Sequence, residues 1–420
     1  MPQVAQPFAA TQAAWRFFAN QNITLRQLAS PLVERARAGV LESCDQYALT
    51  VIDWSNLHYN NHQSKRDRVE LSEPRDLGYE LLTALVVSDK DGSPIAPACL
   101  ELRAKDGIHT TRSEKIQRPL SSLDALDPLM REVDGLNLGR PPVYIIDREA
   151  DSVGHYRQWA AAGRTFLVRA DDTRQVLYQG RECALKAVVK SLKAQNQLLS
   201  TREVLFHGKK AFQFVGEAQV ILHRPARQHR VVGRGKNKQK KRENIPGEPL
   251  PLRLIVSEVR DADGQVLACW LLLSNAPMHV TPATLALWYY WRWGIESYHK
   301  LLKGAGMQVE HWLQDDASSL SRRLLTAAMA AVIVWHMARA TTPEASQMRQ
   351  VLVRLSGRQI KRGKYLPTFT ESALLAGLSI LMPMLCLLEE YKLEDLILLA
   401  KQTLPYDALM SARKKHPDTG

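Results

Sequence analysis

The spacing of apolar positions changes character along the chain. Residues 9–42 read as short helices, with Trp15, Phe17, Phe18, Leu25, Leu28 and Leu32 on apolar faces. Three strand-like runs follow: 47–53 (YALTVID), 79–88 (YELLTALVVS) and 95–103 (IAPACLELR). Asp89-Lys90-Asp91-Gly92, between the last two, predicts a hairpin turn. A helix is predicted over 122–133, stopped by Pro141 and Pro142, and then a strand over 143–147 (VYIID). A helix over 152–162, capped by Gly163, leads to a strand over 165–169 (TFLVR). Three strands, helix, strand, helix, strand, with acids closing the first and fourth strands, predict an α/β layer with a mixed sheet.

Residues 170–280 carry strand-like runs (LFHGKKAFQFVGEAQVILH, LRLIVSEV, VLACWLLLS) and read as an inserted β-rich region. Within it, residues 224–242 hold nine Lys or Arg with Gly233 and Gly235, which predicts a flexible basic loop. Such a loop is either a solvated linker or an arm that neutralises phosphates. Helices are predicted over 283–303, 317–340, 345–356, 370–388 and 392–411.

Composition narrows this. The chain has 420 residues, 45% of them apolar, enough for a large core and more than one structural unit. Its net charge of +13 favours a polyanionic partner, nucleic acid first. Five scattered cysteines with no CxxC pair indicate neither a zinc site nor a disulfide framework. The first residues lack the basic start and apolar run of a secretory signal. Apolar segments 324–338 and 373–388 fall short of the roughly 18–20 residues of a membrane span and read as buried helices.

The densest chemical signal is residues 287–306, LWYYWRWGIESYHKLLKGAG. On one continuous helix, Tyr289, Arg292, Glu296 and Lys303 fall within roughly 60° of one another. An acid flanked by cations on one stripe can hold a metal while its neighbours grip phosphates. The plainer reading is an amphipathic helix with an Arg292–Glu296 pair worth a few tenths of a kcal/mol. His299 reads as a surface residue, and Asp151 as the cap of the helix that follows it.

The spacing Tyr-x2-Arg-x3-Glu-x6-Lys resembles the signature of the insertion sequence 4 family of bacterial DDE transposases. Other segments resemble that family in the same order: VIDWSNLHY (51–59), IIDREAD (145–151), RTFLVR (164–169) and WLLLSNAP (270–277). The resemblance implies an RNase-H-like fold with an inserted β-rich region and a helical C-terminal region. It implies a short helical segment 1–45, a catalytic core 46–169 and 281–340, an insertion 170–280, and helices 341–420 that serve dimerisation or the core.

It further implies Asp53, Asp147 and Glu296 as catalytic, metal-binding carboxylates for two Mg²⁺ ions, with Mn²⁺ as a substitute. DNA contacts would come from Tyr289, Arg292, Lys303, Arg169 and Lys300, with Trp270 stacking on a flipped base. The expected activity is cut-and-paste transposition: nicking, hairpin formation and strand transfer. The partners would be double-stranded transposon ends and target DNA, with a homodimer on paired ends and no membrane. The expected setting is the bacterial cytoplasm, at the nucleoid. Asp53 stands close to the first residue, which implies that most of the family's N-terminal end-recognition domain is absent. The alternatives are a truncated non-catalytic inhibitor or domesticated DNA-binding protein, and a stand-alone nuclease. Three intact acids favour the catalytic reading.

Overall fold

The structure, a computed structural model, describes residues 7–73, 75–112, 122–232, 239–304, 307–358 and 368–403. It separates into two compact units, Gln21–Arg339 and a second made of Met1–Asn20 with Ala340–Gly420. The chain opens with helices α1 (Pro7–Ala19) and α2 (Leu25–Ser43). Strands β1 (Ala48–His58), β2 (Val69–Glu70), β3 (Leu77–Ser88), β4 (Pro94–Ala104) and β5 (Gly107–Thr110) follow. Then come α3 (Leu126–Gly135), β6 (Pro142–Ile146), α4 (Val153–Ala161), β7 (Thr165–Arg169), β8 (Gln175–Tyr178), β9 (Arg181–Ala184) and α5 (Leu185–Ala194). Strands β10 (Leu199–Phe206), β11 (Lys209–Leu222), β12 (Ala226–Val232), β13 (Gln239–Ile245), β14 (Leu250–Arg260) and β15 (Val266–Ser274) come next. Helices α6 (Pro282–Trp291), α7 (Trp293–Lys303), α8 (Ala317–Arg339), α9 (Pro343–Ser356), α10 (Glu371–Glu390) and α11 (Leu393–Thr403) end the described chain.

The larger unit is an RNase-H-like α/β layer around a mixed sheet in the order β5-β4-β3-β1-β6-β7-β15-β14-β11-β8-β9. Strands β1, β6 and β7 run parallel, and β1 also pairs antiparallel with β3. Leu49, Val51, Ile52, Val143, Ile145 and Ile146 are fully buried, as expected where helices cover both faces of a parallel pair. On one side α2 buries Leu32, Ala36 and Val40, and its Gly39 meets Ile95 so closely that a Cβ would lie 2.3 Å from the Ile95 Cγ2. The start of α2 is fixed by a reciprocal Thr24–Gln27 capping box.

Three details are added or changed. The inserted β-rich region extends the same sheet, since β15 hydrogen-bonds antiparallel to β7. It also contains helix α5, whose Leu185, Val188 and Leu192 are buried. The basic stretch does not read as a loop throughout: β12 and β13 pair antiparallel from Ala226 opposite Ile245 to Val232 opposite Gln239, while residues 233–238 lie outside the described residues. The helix over 283–303 is broken at Arg292, where short i→i−3 bonds run from Arg292 to Tyr289 and from Ile295 to Arg292.

In the smaller unit α9 and α10 pack closely enough that a Cβ on Gly377 would lie 2.0 Å from the Leu352 carbonyl oxygen. The helix expected over 392–411 is described only as far as Thr403. Helices α8 and α10, with 23 and 20 residues, are longer than the apolar segments read from sequence, and both are long and apolar enough to cross a membrane. α8 is mostly buried within its own unit, whereas α10 is mostly exposed.

Gly92 closes the β3–β4 hairpin at φ +74°, and a Cβ there would lie 2.3 Å from Cγ of Trp291, the last residue of α6. Gly92→Ala is expected to lower stability by about 1–3 kcal/mol, through the left-handed backbone and the displaced indole. Denaturant unfolding checks this; an unchanged midpoint would show that Trp291 moves aside freely.

Candidate functional site

The register of two parallel strands brings the first two acids together. Ile52 on β1 lies opposite Ile146 on β6, so Asp53, inside β1, and Asp147, just past β6, are the next residues at the carboxyl end of the parallel pairing. Such strands run about 4.8 Å apart, and the carboxyl ends of parallel strands are where α/β sheets place their ligands. Each carboxylate is fixed by a local amide. The Trp54 N–H donates to Asp53 Oδ1 at 2.9 Å, and the Arg148 N–H to Asp147 Oδ1 at 2.7 Å.

Helix α7 supplies the third acid. The Arg292 guanidinium, at the α6–α7 junction, touches all three. Nη1 lies 3.1 Å from Asp53 Oδ2, and Nη2 lies 3.4 Å from Asp147 Oδ2 and 2.9 Å from Glu296 Oε1. Its side chain is 7% exposed, while those of Asp53, Asp147 and Glu296 are 22%, 30% and 28% exposed, so the cluster opens to solvent on the carboxylate side. The Tyr289 hydroxyl donates to Asp147 Oδ1 at 3.1 Å, and Arg169 Nη1 approaches the same oxygen at 3.4 Å.

Burial pushes the Asp53 carboxyl up to about 6, against the pull of Arg292. Burial also raises Asp147, but Arg292, the Arg148 amide, Arg169 and Tyr289 together outweigh it and hold that carboxyl below the usual range. One guanidinium therefore serves three acids unequally. Among the described residues no three His, Cys, Asp or Glu side chains are grouped to hold a metal ion, and the Arg292 guanidinium lies among Asp53, Asp147 and Glu296. The donor set nevertheless suits a hard divalent cation: the groups facing Arg292 are carboxylate oxygens, partly open to water.

The segment after α7 is stapled to the end of β1. The His58 amide donates to Glu310 at 3.0 Å, the Tyr59 hydroxyl donates to the Val309 carbonyl, and buried Lys65 donates to the Trp312 carbonyl at 2.9 Å. Lys303 belongs to this staple; its Nζ donates to the Asn56 carbonyl at 2.5 Å and lies 3.8 Å from Glu310. It therefore braces α7 against β1 and stands apart from the carboxylates. Glu310 and Lys65 were not singled out in the sequence, since their partners lie some 250 positions away and nothing local marks them.

Other expectations resolve separately. Trp270 is half-buried beside Phe206 and Tyr290, with its ring centroid 6.2 Å from that of Tyr289. Lys300 is exposed on α7. His299 is buried rather than on the surface: it sits 3.5 Å from Thr83 Oγ1, and burial holds its imidazole down to about 3. Asp151 does not cap α4. It accepts from the Asp171 amide at 2.9 Å, from Arg174 Nε at 3.0 Å and from the Tyr156 hydroxyl at 3.0 Å, and so ties the ends of β6 and β7 together.

Residues 120–333, just over half of the chain, match the family model of the transposase DDE domain. The chain belongs to the DDE transposase family. The matched segment of this transposase holds Asp147 and Glu296, and Asp53 precedes it. No curated protein matches the transposase. One residue past Asp147 a polar cavity of about 610 Å³ opens, lined by Arg148, Asp151, Asp171, Arg174, Arg224 and Arg227. Arg174 is neutralised by Asp151 and Arg224 by Glu182, whereas Arg148 lies 3.9 Å from Asp171 and Arg227 is exposed at the base of the β12–β13 ribbon.

The raised Asp53 pKa has a definite sign. A folded value of about 6 against an ordinary 3.8 means that its proton favours the native state below pH 3.8, and that this contribution disappears as pH rises through about 6. In metal-free protein at neutral pH, Asp53→Asn is therefore expected to stabilise, by at most about 3 kcal/mol. The gain should vanish near pH 4. Thermal melts across pH in chelator test this; destabilisation at neutral pH would show that the Arg292 contact outweighs burial.

Proposed function

We propose that this transposase is catalytically competent and moves DNA by cut-and-paste, with Asp53, Asp147 and Glu296 holding two Mg²⁺ ions, or Mn²⁺ in their place. One observation carries the reading: three acids from β1, β6 and α7 converge on a single buried guanidinium. Bound there, divalent ions would activate water and stabilise the leaving oxygen of a phosphodiester.

The chain's own residues do the rest. The short bonds from Trp54 and Arg148 hold the two aspartates in fixed orientation. Arg169 and the Tyr289 hydroxyl sit at the Asp147 side of the cluster, where they can donate to a non-bridging phosphate oxygen. The half-exposed Trp270 ring beside Tyr289 is suited to stack on a terminal base swung out of the duplex. Lys300, exposed on α7, is a candidate for outer phosphate contacts. The staple through Lys303, Glu310 and Lys65 keeps Glu296 in register with Asp53. The course would be nicking at the transposon end, attack of the freed 3′-OH on the opposite strand, opening of that hairpin, and attack of the same 3′-OH on target DNA.

The arginine-lined cavity beside Asp147 offers a path for the flanking strand toward the β12–β13 ribbon. The exposed Ile380, Met382, Met384, Leu385 and Leu388 on α10 would support a homodimer on paired ends, and the working site would be the nucleoid of a bacterial cell.

Asp53→Ala, Asp147→Ala and Glu296→Ala are each expected to lower divalent-ion-dependent cleavage of terminal inverted repeats by roughly 10³-fold or more, with DNA binding retained. Full cleavage by any one variant would remove that acid from the site. Arg148→Gln with Arg227→Gln should reduce the salt slope of DNA binding by up to about 2, since each neutralised phosphate adds roughly 0.9 to that slope. A slope equal to wild type would exclude the cavity from the DNA path.

A further inference from the structure

Arg292 sits where a cation between the three acids would sit. Its guanidinium reaches Asp53, Asp147 and Glu296 at 3.1, 3.4 and 2.9 Å. A divalent ion entering beside an unmoved guanidinium would meet a like charge a few ångströms away in a largely buried place, which opposes binding. Its Nε is buried with no hydrogen-bond partner, so its donors are not all engaged. The opening lies on the carboxylate side, where Asp147 is 30% exposed, and there a DNA phosphate can approach.

We infer that Arg292 is a resident counter-cation that keeps the carboxylate cluster closed to divalent ions until a DNA phosphate draws its guanidinium away. This rests on the metal-binding reading of the three carboxylates. Arginine is suited to both positions, because its planar fork pairs with carboxylates and with phosphate in the same bidentate manner. Moving it from acids to phosphate clears the cluster and fastens the substrate in one motion. DNA and metal therefore bind cooperatively, and by linkage each strengthens the other by the same factor.

The test is Mn²⁺ binding to chelator-stripped, full-length protein, followed by electron spin resonance and by the metal-induced rise in melting temperature. It is run with and without a short duplex. Arg292→Gln is the main variant and Arg292→Lys the second, with exposed Arg131→Gln as the control of equal charge change; a melt near pH 5 first confirms that each variant is folded. Without DNA, Arg292→Gln should bind Mn²⁺ about tenfold or more tightly than wild type, with Arg292→Lys between them and Arg131→Gln unchanged. Duplex should tighten Mn²⁺ binding to wild type and leave Arg292→Gln unaffected. If Arg292→Gln binds Mn²⁺ no better than wild type, or keeps the full response to duplex, the counter-cation role is overturned and the metal site stands. If neither wild type nor Arg292→Gln binds Mn²⁺ with or without duplex, while Asp53→Asn matches both, the metal-binding reading falls and this inference with it.

Discussion

Three carboxylates held together in a half-buried place repel one another, and the fold of this transposase is organised around containing that repulsion. Arg292 does so with one guanidinium divided among Asp53, Asp147 and Glu296. Burial still raises the Asp53 carboxyl against the pull of Arg292. A charge arrangement of this kind contributes little to stability and is costly to disturb one partner at a time. It persists because each acid is carried on a rigid element: two on adjacent buried strands, and one on a helix stapled to the end of the first.

The long insertion between β7 and α6 bears directly on the site. The chain leaves β7 after Arg169 and returns with β15 hydrogen-bonded to that same strand, Leu272 opposite Arg169. The insertion therefore closes on itself at the edge of the cluster. Its last strand delivers Trp270 beside Tyr289, and its β12–β13 ribbon rises from the rim of the arginine-lined cavity. Between them, Asp151 bonds to the Asp171 amide and to Arg174 and fixes the turn that follows Asp147. The element that lengthens the sheet thus also borders the proposed DNA path on one side.

Much of the core was legible in the sequence. Apolar runs ending in an acid marked β1 and β6, and an Asp-Gly turn marked the β3–β4 hairpin, because strand patterning and turn chemistry are local. The spacing Tyr289, Arg292, Glu296, Lys303 identified the helix that bears the third acid, although a tight turn at Arg292 divides it. Less was legible where the partner is distant. The pairing of β15 with β7, the ribbon within the basic stretch, and the burial of His299 against Thr83 all depend on neighbours outside any local window.

Lys303 shows the limit most clearly. Helical periodicity put it on one stripe with Arg292 and Glu296, yet its ammonium is bound to the Asn56 carbonyl and faces Glu310. The sequence by itself determined which residues are candidates for the chemistry and on which elements most of them stand, because charge, strand alternation and helical spacing are properties of neighbouring positions. Only the tertiary structure decided which of those charges meet, since strand register and helix docking set distances between residues that no local pattern relates.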